Sequence, residues 1–239
     1  DAVLFTAGSL LWLGLMFGPL ERAFPAWPGQ RSLRRDLVTD VLFFAGQYLV
    51  FGTLAVTALT WVAGPLDQLV VLGPVREAFA RWPLWLQAPL VVLLGDLLMY
   101  WGHRVQHHHD VLWRFHAVHH TSEQIDWLAA HREHPLDGLY TQLWMNLPAI
   151  LLGMSVGEVM GLIVFRSLWA IFIHSNVRVP LGPLEYVLGS PRLHHWHHAR
   201  DRDVGNYANL APWIDLVFGT FYREDTEPER LGVREPMPR

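Results

Sequence analysis

Two residue types are missing from this chain of 239 residues. It has no cysteine, and all 18 of its lysine-plus-arginine positions are arginine. The first absence excludes disulfides, thiolate metal sites and iron–sulfur clusters. The second suggests a GC-rich, bacterial source. Charge is also scarce, at 17% of residues against 51% hydrophobic, which is too apolar for an ordinary soluble domain of this length. A glycine-rich dinucleotide fingerprint is lacking, so no fused flavin or haem-carrier domain is expected. A net charge of −4 argues against nucleic acid as a partner. Histidine, finally, is absent from everything before residue 103 and after residue 198.

Between those limits lie all 14 histidines. Nine fall in HRVQHHHDVLWRFHAVHHTSEQIDWLAAHREH, residues 103–134, and the others are His174 and the run His194, His195, His197, His198. His103 and His107 are four apart, so on a helix both rings share one face. His116, His119 and His120 stand at i, i+3, i+4, which again puts three rings on one face, and the pattern returns at His194, His197 and His198. Imidazole suits iron, zinc and copper, so zinc is as able as iron to occupy such a site in purified protein. Eight or more ring nitrogens exceed what one ion takes, since a structural zinc closes at four. The economical reading is two metals side by side. His108, His109 and His195 fall off the pattern and are expected to be bystanders; His131 is extra to it.

The apolar runs imply a membrane protein. Residues 2–20 carry no charge and as a helix reach about 28 Å, near the roughly 30 Å of a bilayer core. No basic segment precedes them, which argues against a signal peptide. A polar linker, 21–36, contains Pro25, Pro28 and Gly29. A second span, 37–63, has only Asp40 charged, and 64–83 reads as an interfacial loop. A third span, 84–102, leads straight into His103. Residues 136–174 form either a crossing helical hairpin or a shallower re-entrant pair. Both return the chain to the histidine side. The linker shares that side and bears Arg22, Arg31, Arg34 and Arg35, against Arg76 and Arg81 in the 64–83 loop, so the positive-inside rule makes it cytoplasmic. The last residues, after about 223, are expected to be a solvated tail. Trp82, Trp85, Trp101 and Trp113 suit a membrane interface.

HRVQH, FHAVHH, the HPLDG at His134 to Gly138, IHSN at His174, PRLHHWHH and WIDLVFGT together resemble the fatty acid hydroxylase superfamily, in its sterol desaturase branch. The resemblance covers roughly residues 90–222, within a single domain spanning 1–239. It implies an all-α integral membrane protein with about four transmembrane helices under a cytoplasmic, histidine-rich helical cap that holds two irons. It also implies an O2-dependent enzyme that hydroxylates or desaturates lipid C–H bonds with electrons from a separate partner, a ferredoxin or similar carrier plus its reductase. Carried over residue by residue, the implied ligands are His103, His107, His116, His119, His120, His134, His174, His194, His197 and His198. The HHTSE run at His119 to Glu123 is similar to relatives of alkylglycerol monooxygenase.

Carboxylates are expected to orient the imidazoles by accepting their free N–H groups, with Asp96, Glu123, Asp137 and Asp215 as candidates. Asp96 also qualifies as an intramembrane carboxylate. A donor protein would dock on the arginine-bearing face near Arg200 and Arg202. Hydroxylation of an unactivated C–H bond in a lipid-like substrate is the main reading. A C-5 desaturase, a C-4 methyl oxidase and an alkylglycerol ether monooxygenase are the alternatives within the class. A metal transporter stands outside it, but would place ligands inside several spans rather than at their ends. Localisation follows as a bacterial inner membrane, in contact with membrane lipids.

Overall fold

Backbone polar groups in hydrocarbon must be satisfied within their own segment, and the apolar runs meet this demand as helices. A computed structural model describes residues 1–202 and 204–234. Ten α-helices follow in order: α1 Ala2–Ala23, α2 Leu37–Gly46, α3 Gly52–Asp67, α4 Gly73–Ala80, α5 Leu84–His108, α6 Asp110–His120, α7 Pro135–Leu151, α8 Val156–His174, α9 Pro191–His197 and α10 Trp213–Phe218. A π-helical turn, Gln47–Phe51, joins α2 to α3 without a break. Among the described residues, four segments are long and apolar enough to cross a membrane: α1, the composite Leu37–Leu66, α5 and α8.

Helix α7 sits between α3 and α5. Its approach to α5 is close because α5 offers glycine there: a Cβ on Gly95 would stand 2.5 Å from the Met145 carbonyl oxygen, and one on Gly102 2.8 Å from the Trp144 ring. Small residues allow this packing where lipid provides no hydrophobic drive between helices. The α7–α8 turn lies beside the α3–α4 connection, where the Arg76 guanidinium takes the carbonyls of Leu66 and Leu151. So α7 and α8 run away from the histidine end and back, as a hairpin. A Ser155–Glu158 capping box starts α8 by satisfying free backbone donors.

The linker after α1 lies against the histidine end, as span counting predicts. Ala26 N–H donates to the Asn176 carbonyl, and the Glu21 carboxylate accepts the N–H groups of Trp127 and Asn176. Beneath it Leu13 and Phe17 of α1 pack with Phe44 of α2, Leu128 and Ile171 of α8. Asp40, the lone charge of the second span, is fully buried. It pairs with Arg34 and with Arg132 Nε at 2.6 Å, while Arg34 holds Asp126 through two bonds of 2.7 Å. This network fastens the loop between α6 and α7 to the base of α2.

Over residues 224–234 the expected solvated tail is corrected by the structure; residues 235–239, the rest of that tail, lie outside the described residues. Residues 226–232 form a strap over α9: the Trp196 indole donates to the Thr226 carbonyl, Arg200 N–H to Arg230, and Gly232 N–H to His198. Leu231 is buried against Ile125 and Ala129. Leu231, the Glu227–His195 bond and a set of bonds to backbone groups thus order a stretch whose composition is otherwise polar.

Candidate metal centre

Nine of the ten expected ligands converge. His103, His107, His116, His120 and His197 form one group and His119, His174, His194 and His198 another, with the ligand atoms of each group within 4.8 Å of one another. Helical periodicity does the sorting. The three rings of each HxxHH box share one broad face, as the spacing predicts, but do not all join one group: i and i+4 lie toward one flank of that face and i+3 toward the other. His116 and His120 therefore join the first group and His119 the second; His194 and His198 join the second and His197 the first. The two boxes exchange one histidine each, which locks α6 and α9 together through the ions they would share.

The hydrogen bonds assign the ring tautomers. Carbonyl oxygens only accept, so Nδ1 must carry the proton in His103 (to Tyr207, 2.8 Å), His119 (to Arg132, 3.2 Å), His174 (to Ala170, 2.6 Å) and His197 (to Gly205, 2.8 Å). His116 Nδ1 faces the Asp137 carboxylate at 3.0 Å. Burial pushes Asp137 up to about 6, still ionised at pH 7. In all five rings the bare lone pair is then on Nε2, turned into the cluster.

These lone pairs oppose one another. His103 Nε2 stands 3.0 Å from His116 Nε2, and His119 Nε2 stands 2.9 Å from His174 Nε2. Two acceptors at that range repel, and no proton is left to share. A cation between them removes the conflict: metal–imidazole bonds of about 2.0–2.1 Å at right angles set the nitrogens about 2.9 Å apart. Nε2 of His107 and of His197 are buried with no hydrogen-bond partner, which fits atoms whose lone pairs would go to a metal. Burial holds the imidazoles neutral, as ligation requires, pushing His116 down to about 3 and His119 to about 4, with His120, His194, His197 and His198 also held well below the usual range.

His134 is not brought to either group. Its Nδ1 accepts Leu136 N–H at 3.2 Å, capping α7 ahead of Pro135, and its ring packs on Phe115. Of the four candidate orienting carboxylates, Asp137 alone touches a histidine. Asp96 accepts the N–H groups of Asn209, Leu210 and Ala211; Asp215 those of Tyr207 and Ala208; Glu123 is exposed near Arg200. Backbone carbonyls do most of the orienting. Sequence reasoning missed them because a carbonyl belongs to no residue type.

Among the bystanders, His108 and His109 are exposed. His195 is fully buried between the Ser175 carbonyl and Glu227 in the strap, while His131 packs on Phe44 and Tyr48. Trp82, Trp85 and Trp101 are exposed as an interface requires. Trp113 instead packs against His107 and His120, at 5.0 and 5.5 Å between ring centres. Tyr207 walls the same group, 5.3 Å from His107. Arg202 is already paired with Glu224, and Arg200 lies 3.9 Å from Glu123.

The fatty acid hydroxylase family model matches residues 88–220. Ornithine lipid hydroxylase OlsE of Rhizobium tropici is 32% identical over 228 residues, which cover 89% of this chain and 68% of that protein. Human (Homo sapiens) alkylglycerol monooxygenase is 34% identical over 155 residues, 64% of this chain and 34% of its own length. Methylsterol monooxygenase 1 of Rattus norvegicus is 31% identical over 158 residues, 65% of this chain and 53% of its own length. The chain thus spans about two thirds of the first relative and a third to a half of the others. No solved structure matches it.

Proposed function

This chain belongs to the fatty acid hydroxylase family, and from that premise we propose that it is an O2-dependent, di-iron hydroxylase acting on an unactivated C–H bond of a lipid-like substrate. The observation that carries the reading is the opposition of bare Nε2 lone pairs in two adjacent groups of five and four histidines. His103, His107, His116, His120 and His197 would hold one iron, and His119, His174, His194 and His198 the other. Bound there, the irons supply the electron-transfer chemistry that activates O2.

The chain's own residues perform the rest. The carbonyls of Tyr207, Gly205, Arg132 and Ala170 and the Asp137 carboxylate keep Nδ1 protonated and each ring aimed. Trp113 and Tyr207 screen the first group from water. The four-histidine group offers fewer protein ligands, which leaves more room there for small molecules. Electrons come from a separate carrier with its reductase. The linker bears four arginines and lies at the histidine end, which supports a cytoplasmic site in a bacterial inner membrane. Ligands gathered at span ends rather than inside several spans favour this reading over metal transport.

The test is metal content per chain in detergent-purified, iron-supplemented protein, beside a variant carrying His119→Ala and His197→Ala. Two ions per chain, lost in the variant, are expected, followed by oxidation of a lipid panel with a surrogate reductase. One ion or fewer, unaffected by the variant, would overturn the reading.

A further inference from the structure

Asp96 lies seven residues before His103 on the membrane helix α5, about 10 Å further into the span. Its carboxylate accepts the backbone N–H groups of Asn209 at 3.1 Å, Leu210 at 3.2 Å and Ala211 at 2.8 Å. On α8, five residues before His174, the Trp169 indole donates to the Asn209 carbonyl at 3.0 Å. Two membrane helices therefore hold one irregular loop from within their spans, below the metal centre. Backbone at that depth has no water to bond and persists only where protein groups satisfy it. Asp96 and Trp169 do so.

Helix α10 follows directly. Phe218 stacks on Tyr100 and packs edge-on against Trp101 of α5, at 5.1 and 4.9 Å between ring centres. Other side chains of α10 point outward: Trp213 is 42%, Leu216 44% and Val217 69% exposed. The one charged residue of segment 209–218, Asp215, is turned inward onto the N–H groups of Tyr207 and Ala208. An outward face of Trp, Leu and Val, continuous with a membrane helix and with its carboxylate hidden, matches the headgroup–acyl boundary and not water.

We propose that residues 209–218 form a wedge immersed in the bilayer, whose partner is the lipid layer itself, met by Trp213, Leu216 and Val217. The part of the chain expected to form the cytoplasmic cap therefore enters the membrane at this point. The loop leading into the wedge also walls the metal centre, since the Gly205 and Tyr207 carbonyls orient His197 and His103. A lipid chain lying along the wedge is brought beside the histidine groups, and the wedge is the lateral way in for a lipid substrate. That last consequence rests on the function proposed above; the immersion does not.

The chain has no cysteine, so single thiols report cleanly. Val217→Cys is compared with Leu11→Cys, exposed on membrane helix α1, and with Glu229→Cys, exposed on the strap. Each carries an environment-sensitive thiol fluorophore on iron-loaded, full-length protein in phosphatidylcholine vesicles, and is quenched by nitroxide-labelled lipid or by aqueous iodide. Position 217 is expected to match position 11, with lipid quenching several-fold above that at 229 and little response to iodide. Position 217 behaving like 229 overturns the wedge. Quenching by neither agent, the signature of a protein covering the site, overturns it too. Metal counted on the same samples separates the two readings: two ions per chain without lipid quenching removes the wedge and leaves the oxygenase.

Discussion

Replacing Asp137 tests whether one carboxylate sets the difference between the two histidine groups. Its oxygens take His116 Nδ1 at 3.0 Å and the Gln106 amide at 2.5 Å, and among the candidate acidic residues it alone touches a ligand ring. The bond from His116 Nδ1–H to the ionised Asp137 is charge-assisted with or without the ion, and metal at Nε2 polarises the N–H further and strengthens it. Loss of such a partner typically costs about 10- to 100-fold in metal affinity, or about 1.4–2.8 kcal/mol. The assay is metal per chain after equilibration with graded chelator. Asp137→Ala is expected to release one ion at 10- to 100-fold lower chelator and to keep the other, whose rings are aimed by the Arg132 and Ala170 carbonyls; Asp137→Asn should fall between. Release of both ions in parallel, or a curve like that of the unaltered protein, would refute the reasoning.

Three further outcomes follow from the packing. His131 is buried and pushed down to about 4, so its unfolded form binds a proton that the folded form refuses between about pH 6.5 and 4. Its contribution to stability is present above that window and declines through it by up to about 1.4 kcal/mol per pH unit; thermal melts of the apoprotein should show the decline, and His131→Phe should make it shallower. A Cβ at Gly205 would stand 2.1 Å from the Thr220 carbonyl oxygen, so Gly205→Ala must shift the carbonyl that holds His197. It should destabilise the fold by about 1–3 kcal/mol and weaken the five-histidine group first, read from metal content beside chemical denaturation. Glu227→Ala removes the partner of His195 Nδ1 and should free the strap, raising amide exchange at residues 226–232 while exchange in α5 stays unchanged.

The histidine boxes were legible because a helix converts spacing into direction: i and i+4 share a face whatever surrounds them. The same rule put all three rings of each HxxHH box on one face, and which member departs to the other group emerges only when α6 and α9 are set against each other. His134 looked like a ligand because it opens HPLDG, and its place ahead of Pro135 is also the signature of a helix N-cap, the role it takes. Asp96 drew attention as a carboxylate in a span. It was a candidate to orient an imidazole, while the loop that claims it arrives from more than a hundred residues away.

What the sequence determined by itself was the local and the compositional: apolar runs that must be helices in lipid, a neutral-imidazole metal chemistry in the absence of thiols, and the rings that share a helix face. The tertiary structure decided everything that depends on backbone groups meeting across distance. The carbonyls of Tyr207, Gly205 and Arg132 that aim three rings, the strap that Leu231 and Glu227 fasten, and the descent of residues 209–218 between membrane helices all follow from hydrogen bonds the chain makes only when folded. Every residue carries the same carbonyl and amide, so no residue type marks which will be used; only the path of the chain selects them.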